Sequence, residues 1–504
     1  FFGRINYNLM DKYLLEANVR YDGSSKFPSN LQWRTFPSFS AGWRIGEEAF
    51  MQWAKPALSS LKLRGSWGMI GDQTVPNTLY VPTISQGNTN TYAWLDADGN
   101  KLIMTGTPAA IDANITWQDI YTLDFGVDAR FFNGELGVTF DWFQRDTKNM
   151  IVPGAGVAPT FGAGAPKGNF GSLRTKGWEL SIDYNHRFNN GLSVNAMFTL
   201  SDALTEITEY GDTKSIDSWY VGKQYGEIWG YRTDRLYQKD DFVYEGDKLV
   251  TTWALNGKEV AAGTPGAKEV NKLKDPNGIY QDYFQSGTFR FGPGDVKFQD
   301  LNGDGQINDG SRSIDDHGDV EKIGNTTPRF EYGLRLGASY KGFDASIFMQ
   351  GVGNRKLWGA GFLAIPGFNT GDGAMPQAIA GDYWTEENTN AFYPAACNMG
   401  GSNSGYNLQK QDRYLLDMAY FRIKNITIGY TLPSELTKKI LINKARIYLA
   451  CENFFTFDKL NGLPIDPEEI SGYSMFNSDN YNSGRTGVGT PTMKNMSVGI
   501  QLNF

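Results

Sequence analysis

Residues 121–144 read YTLDFGVDARFFNGELGVTFDWFQ, and they indicate the fold class more directly than any other part of the chain. Apolar and polar side chains alternate along both halves of this stretch, which is the period-two pattern of a β-strand with two different faces. Asn133-Gly134 separates the halves, and this dipeptide strongly favours a hairpin turn. The stretch therefore predicts two antiparallel strands, each with one apolar face and one polar face.

The same alternation recurs on both sides of other short turns. Three such turns are Asp11-Lys12, Asn189-Asn190-Gly191 and Lys341-Gly342. Alternation alone fits a soluble sandwich, whose apolar face is a core, and a membrane barrel, whose apolar face meets lipid. The strand pattern thus predicts an all-β protein and leaves its surroundings open.

The lengths of the connections distinguish a soluble sandwich from a membrane barrel. Between the short turns lie long excursions, over roughly 72–116, 148–172, 202–328, 354–418 and 456–491. Short periplasmic turns that alternate with long outer loops are typical of outer-membrane barrels. The sequence therefore predicts a transmembrane antiparallel β-barrel of which about thirteen strands lie in this chain, an odd number that fits part of a larger barrel.

The end of the chain agrees with a barrel. Apolar residues from Met496 to Phe504 alternate with small and polar ones, and the last residue is aromatic. Outer-membrane barrels typically finish on a strand with a terminal Phe. We therefore expect residues 1–504 to be the carboxy-terminal part of such a barrel.

Composition excludes several other classes. No stretch approaches the 18 or so consecutive apolar residues of a transmembrane helix. A net charge of −8 argues against a nucleic-acid partner. Cys397 and Cys451 show no paired spacing, so two free thiols are favoured over a disulfide. The chain opens at Phe1 without a signal peptide, and an exported protein is expected to have further sequence upstream.

Six segments, in order along the chain, carry a family resemblance. They are RYDGSSKFPSNLQWRTFPSFSAGWRIGEEAFM (20–51), LKLRGSWGMIGDQ (61–73), GDVKFQDLNGDGQIND (294–309), IGNTTPRFEYGLRLGASYKGFDASIFMQG (323–351), YFRIKNITIGYTLP (420–433) and ARIYLACENFFTF (445–457). Together they resemble the SusC-like (RagA/SusC) TonB-dependent transporters of Bacteroidetes outer membranes. Because the matches span the whole chain, they are more specific than any single motif.

The resemblance implies a 22-stranded barrel with an internal plug. It implies a multi-pass outer-membrane protein that imports oligosaccharides or peptides with energy from TonB, beneath a SusD-like surface lipoprotein that acts as a lid. It also implies that such pairs assemble as dimers. The plug, the TonB box and the signal peptide are not recognisable between Phe1 and Phe504 and are expected upstream.

One loop has the spacing of a calcium site. Oxygen-bearing side chains occupy alternate positions at Asp300, Asn302, Asp304, Gln306 and Asn308, with a glycine at position 6. This is the opening of an EF-hand loop, in which position 7 ligates through its backbone carbonyl. Position 12 lacks the usual bidentate acid. The alternatives are a structural Ca²⁺ site and an Asx-rich turn that braces an outer loop. No other cofactor is expected.

Aromatic side chains in the long loops are the candidates for substrate contact, because sugar rings stack on them. They are Trp94, Trp219, Trp229, Trp358 and Trp384. The alternative for each is packing within the loops or in the aromatic belt at the membrane surface.

Enzymatic chemistry has little support. The two histidines, His186 and His317, stand beside a turn and in an acidic loop, and neither belongs to a catalytic motif. The chain has no G-x-S-x-G elbow, no H-E-x-x-H and no P-loop. We therefore expect a transporter and not an enzyme.

Two other functions compete with TonB-dependent import. A passive outer-membrane porin would share the barrel, and a secreted β-rich carbohydrate-binding or adhesive protein would share the alternation. The sequence leaves the substrate open between oligosaccharides and peptides.

Overall fold

The computed structural model describes residues 1–76, 79–87, 95, 97–101, 104–154, 156–361, 363–365, 376–396, 406–468 and 492–504. Thirteen strands, here called the wall, form one sheet in chain order. The wall strands are β1 (Phe2–Leu9), β2 (Tyr13–Gly23), β3 (Trp33–Trp43), β4 (Leu58–Asp72), β5 (Gln118–Phe131), β6 (Leu136–Pro153), β7 (Lys167–Arg187), β8 (Ser193–Tyr210), β9 (Arg329–Tyr340), β10 (Phe343–Asn354), β11 (Tyr420–Thr431), β12 (Lys444–Asp458) and β13 (Asn495–Asn503). The predicted all-β fold and the thirteen strands are confirmed.

Turn chemistry explains the hairpin registers. Tyr340 pairs with Phe343, so Lys341 and Gly342 form a two-residue turn with φ of 47° and 86°. Both angles lie in the left-handed region that such turns require. At the hairpin between β5 and β6, Phe131 pairs with Leu136, so the turn has four residues, 132–135. It is longer than the two-residue turn that Asn133-Gly134 predicts.

The two faces of the wall differ as predicted. On one face Phe125 pairs with Trp142, and their rings stack with centroids 6.2 Å apart. On the other face Arg64 bonds to three carboxylates, those of Asp124, Asp128 and Asp141. Cross-strand aromatic pairs and ion pairs of this kind stabilise a sheet whose faces meet different surroundings.

From β4 onward, long connections alternate with shorter ones along the wall. The short-turn end carries 10–12, 44–57, 132–135, 188–192, 341–342 and 432–443, and the loop end carries 24–32, 73–117, 154–166, 211–328, 355–419 and 459–494. The loop predicted over 148–172 is wrong at both ends, because β6 continues to Pro153 and β7 begins at Lys167. Bulges near Met150 break the alternation there, which hid the strand ends from the sequence pattern.

Shorter elements lie in the connections. The 3₁₀ turns are Ile45–Glu47, Ala49–Ala54, Phe132–Gly134, Pro159–Phe161, Lys239–Asp241, Tyr406–Leu408, Asp412–Tyr414 and Lys438–Ile440, and α1 is Ser434–Thr437. The short strands are Gln86–Gly87, Met104–Thr105, Glu227–Tyr231, Thr233–Leu236, Tyr244–Glu245, Lys248–Leu249, Thr251–Leu255, Lys258–Val260, Lys268–Asn271, Val296–Phe298, Val320–Asn325, Lys356–Trp358 and Leu415–Asp417. Among the described residues, no helix has the length and apolar character needed to cross a membrane.

The chain divides into two compact units. The first comprises Phe1–Asn185, Ser201–Lys214 and Ser218–Tyr225, and the second comprises the remainder. In the first unit, Phe27, Phe36, Ile115 and Trp117 form a small buried cluster. In the second unit, two larger clusters lie in the connections between the wall strands.

Candidate functional site

The long connections of the second unit fold into a compact structure, here called the loop module. It comprises residues 226–328 and the described residues of 355–419. Each connection is closed near the wall by its own strand pair. Glu227–Tyr231 pairs with Val320–Asn325, and Lys356–Trp358 pairs with Leu415–Asp417. These pairs hold the ends of each loop together, so the residues between them form a defined surface.

Hydrogen bonds join the two connections. The backbone N–H of Tyr231 donates to the carbonyl of Lys410 at 2.8 Å. The N–H of Thr233 donates to the carboxylate of Asp412 at 2.9 Å, and Arg232 forms an ion pair with the same carboxylate. Residues far apart in sequence are thereby fixed in one structure.

An apolar core fills the loop module. Phe298 is 3% exposed, and its ring contacts those of Tyr231 and Phe284 at centroid distances of 5.3 Å. Trp384 from the second connection is buried in the same cluster, and its Nε1 donates to Gln238 at 3.2 Å. This core resembles that of a water-soluble domain, which is a feature the alternation of the strands did not predict.

Asp295 is a buried charge at the join between the two connections. Its carboxylate accepts hydrogen bonds from the Asn407 side chain at 2.6 Å and from the Gly292 backbone N–H at 2.7 Å. Burial raises the pKa of Asp295 to about 6, although both hydrogen bonds act to lower it. The group is therefore ionised at neutral pH but is protonated on mild acidification.

A separate ionic cluster ties the connection after β12 to the wall. Arg422 of β11 is almost fully buried and donates to Asp466 at 2.7 Å and to Glu468 at 2.8 Å. Lys424 and Gln350 also donate to Glu468, at 3.0 and 2.9 Å. Despite desolvation, hydrogen bonds from Arg422 and its neighbours lower the pKa of Asp466 to about 2. No local pattern in the sequence indicates this cluster, because its members are distant in sequence.

The calcium-type loop is held by hydrogen bonds between side chains and backbone. The Asp300 carboxylate accepts from the N–H groups of Gly303 and Gly305 at 2.7 and 2.9 Å. Asn302, Asp304 and Asn308 each accept an N–H two residues further on. These are Asx turns.

Asp319 completes this loop. It is fully buried and accepts from the backbone N–H groups of Leu301 and Asn308 at 2.8 Å. The calcium-type spacing does not indicate Asp319, because this residue lies outside the motif. Within the described residues no three His, Cys, Asp or Glu side chains converge as a metal-binding group. Only two of the five predicted ligands, Asp300 and Asp304, are carboxylates, so a Ca²⁺ site that also uses amide oxygens is compatible with this observation. The Ca²⁺ site stays a prediction.

The predicted aromatic contacts fall in different places. Trp229 and Trp358 are partly buried against the two apolar clusters of the second unit, and Trp384 lies inside one of them. Trp219, in the first unit, packs against Tyr210 at 5.7 Å. Trp94 lies outside the described residues. Their role in substrate binding stays a prediction.

The histidines are separated. His317 packs against Trp229 with centroids 5.3 Å apart, and His186 packs edge-on against Phe188 at 4.4 Å. Cys451 is a free thiol in β12, whereas Cys397 lies outside the described residues.

The fold and the sorted loops define the class as an outer-membrane β-barrel. Residues 1–454 match the family model described as "TonB dependent receptor-like, beta-barrel", and the chain belongs to this family. The predicted resemblance and the outer-membrane location are thereby confirmed, and the secreted alternative is removed.

Relatives extend the match. TonB-dependent receptor P26 of Formosa agariphila is 26% identical over all of this chain and 46% of its own length. TonB-dependent receptor SusC of Bacteroides thetaiotaomicron is 28% identical over 94% of this chain and 41% of its own length. A solved structure described as the RagAB peptide transporter has the same fold, with a TM-score of 0.69 at 20% identity, over all of this chain and 47% of the other. The chain thus spans less than half the length of these relatives.

Proposed function

We propose that this chain forms the barrel wall and outer loops of a TonB-dependent importer of oligosaccharides, or of peptides, with a SusD-like surface lipoprotein as its lid. The loop module carries this proposal. Two connections that share a core and are tied by Asp412 and Asn407 form a rigid outer surface of the kind that a lid or a bulky substrate needs. Membership of the receptor family and similarity to SusC support it.

In the proposed mechanism the residues of this chain bind and guide substrate. The loop module captures it, and the polar face of the wall, with ion pairs such as Arg64–Asp141, offers a hydrated path away from lipid. TonB supplies the energy through a plug domain. We assign no catalytic role to any residue. The association of two such pairs as a dimer is part of the same proposal.

The substrate class is proposed from chemistry and similarity. Exposed loop aromatics such as Tyr283 suit the apolar faces of sugar rings, and we favour oligosaccharides. The description of RagAB as a peptide transporter supports the alternative.

A pull-down of the full protein from native membranes in mild detergent tests the proposal. Mass spectrometry of the purified complex should identify a SusD-like lipoprotein together with a bound glycan or peptide. A lone barrel without a lid or a plug would instead favour a passive porin. Uptake measured with and without a protonophore separates these two, because only TonB-dependent import stops when the proton gradient collapses.

We also propose a structural Ca²⁺ in the loop that begins at Asp300. Each carboxylate oxygen that accepts one N–H keeps a further lone pair, so the donor set fits a weak cation site. Limited proteolysis of the loop with and without Ca²⁺ tests it. Protection should occur in the wild type and be lost in Asp304→Asn, which keeps the acceptor for Gln306 but removes a charge. Equal cleavage with and without Ca²⁺ would show that the Asx turns suffice.

A further inference from the structure

Residues 459–468, here called the strap, follow β12 and connect the loop module to the wall. Leu460 is 2% exposed and Ile465 is 6% exposed. Both side chains lie in the same core cluster as Ile379, which is fully buried in the loop module, and this cluster is here called the Ile379 cluster. The first part of the strap therefore belongs to the core of the loop module, although its sequence follows a wall strand.

A tight turn shapes the first part of the strap. Asn461 and Gly462 adopt φ of 53° and 82°, and the N–H of Leu463 donates to the carbonyl of Leu460 at 3.0 Å. Asn and Gly tolerate this left-handed conformation better than other residues do. A Cβ added to Gly462 would lie 3.9 Å from the Cβ of Ala378 in the loop module. The turn thus packs directly on the loop module.

The second part of the strap is bound to the wall. Asp466 and Glu468 are the partners of Arg422 in the ionic cluster described above. Arg422 also donates through Nε to Thr456 at 2.8 Å, and Thr456 is its register partner on β12. Gln350, which donates to Glu468, is the register partner of Arg422 on β10. Three neighbouring wall strands therefore hold this part of the strap.

The ionic cluster lies on the polar face of the wall. Gln350 is on the same face of β10 as Asp344, an even number of residues away, and on the opposite face from Met349. In an outer-membrane barrel the polar face lines the lumen. Glu468 keeps 20% of its side chain exposed there, whereas Arg422 is buried. A group in the lumen therefore meets the cluster through Glu468.

No spacer separates the two attachments of the strap. Ile465 in the Ile379 cluster and Asp466 in the ionic cluster are consecutive residues, so their Cα atoms lie about 3.8 Å apart. Pro464 and Pro467 fix φ on both sides of this pair, and a residue that precedes proline is confined to extended conformations. A movement of Asp466 out of the ionic cluster therefore displaces Ile465 from its core.

We propose that the strap couples the lumen to the outer surface: release of Asp466 and Glu468 from Arg422 loosens the Ile379 cluster, and tightening of that cluster holds the ionic cluster closed. The coupling acts equally in both directions, because it is one free energy shared by two sites. Removal of one partner from a buried ion pair leaves an uncompensated charge, so the ionic cluster opens as a unit.

The consequence concerns the surface that the loop module presents. A lumen group that draws Glu468 away from Arg422 changes the packing beneath that surface. The use of this coupling in transport rests on the proposed function, whereas the coupling itself does not.

Hydrogen exchange measured by mass spectrometry tests the coupling in the full protein in nanodiscs. Arg422→Gln opens the ionic cluster, and the amides of residues 379–382, which form turn hydrogen bonds in the loop module, report on the core. We expect Arg422→Gln to speed their exchange by about fivefold or more. Arg446→Gln is the matched control, because the ion pair of Arg446 with Asp344 lies on the same face and involves no residue of the strap. The control should leave exchange in 379–382 unchanged.

Slack in the strap separates coupling from a general loss of stability. Two glycines are inserted between Ile465 and Asp466, so that each attachment can keep its contacts while the other moves. In this background Arg422→Gln should change exchange in 379–382 by less than about twofold. An undiminished effect in this background would overturn the coupling, and so would unchanged exchange in 379–382 when Arg422→Gln is made without the insertion.

If Arg422→Gln does not reach the membrane, Asp466→Asn is measured in the same way, with and without the inserted glycines. Because neither experiment uses a substrate, failure of the coupling would leave the proposed function standing.

Discussion

Phe125 in the wall and Phe298 in the loop module are the same residue type in opposite surroundings. Phe125 is 54% exposed on the protein alone, whereas Phe298 is 3% exposed. The wall turns its apolar side chains outward to a solvent that is itself apolar, while the loop module gathers them inward against water. One chain thus follows two rules of apolar placement, and the boundary between them lies where the strands end.

The largest expected effect is on the loop core. Phe298→Ala removes a ring that contacts Tyr231 and Phe284, and large-to-small changes of a buried Phe cost about 3–5 kcal/mol. Limited proteolysis should cut the loop module much faster, while the heat-modifiable mobility of the barrel on gels stays unchanged. If this variant no longer inserted into the membrane, the core of the loop module and the folding of the wall would not be independent, contrary to the comparison above.

A charge on the lipid face is expected to act on the wall instead. Phe125→Arg should cost about 2–4 kcal/mol at mid-depth and impair membrane insertion. Thr139→Arg is the control, because Thr139 lies in the next strand on the polar face, opposite Asp128. The yield of folded protein in the membrane measures both variants. Equal yields would mean that Phe125 does not face lipid.

The buried carboxyl of Asp295 makes the loop module sensitive to pH. Its folded pKa of about 6 lies above its ordinary value, so the folded module binds more protons between about pH 4 and pH 6. The module should therefore become more stable, by about 1–3 kcal/mol, as the pH falls from 7.5 towards 5. Hydrogen exchange at the two pH values measures this. Asp295→Asn should flatten the dependence, and an unchanged slope would contradict the assignment.

The ionic cluster at Arg422 predicts the opposite sign and a smaller effect. Because the pKa of Asp466 is lowered in the folded protein, its carboxylate stabilises the fold at any pH above about 4, the ordinary pKa of Asp. This stabilisation is lost as the pH falls through about 2. Asp466→Asn keeps an acceptor for Arg422 but weakens a charge-assisted bond, by about 1 kcal/mol. Exchange in residues 459–468 should rise several-fold at neutral pH. The difference between the mutant and the wild type should shrink as the pH falls towards 2.

The sequence predicted the wall strands well, but it predicted contacts between distant residues poorly. Strands such as β5 and β6 were predictable, because alternation is a local signal that repeats every two residues. The bulges near Met150 defeated that signal and shortened the predicted strands. The calcium-type spacing at Asp300 was visible, whereas Asp319 was not, because the residues that complete a loop by tertiary contact follow no local spacing.

By itself, the sequence determined the all-β class, the sorted lengths of the connections and the family resemblance. Each of these depends on local alternation, on turn residues or on short motifs that stand together in the chain. Only the tertiary structure decided that Asp295 meets Asn407, that Arg422 meets Asp466 and that Glu48 accepts a hydrogen bond from Tyr13. These contacts join residues that are distant in sequence, and their partners are chosen by the closure of loops and by the register of strands, which no local pattern records.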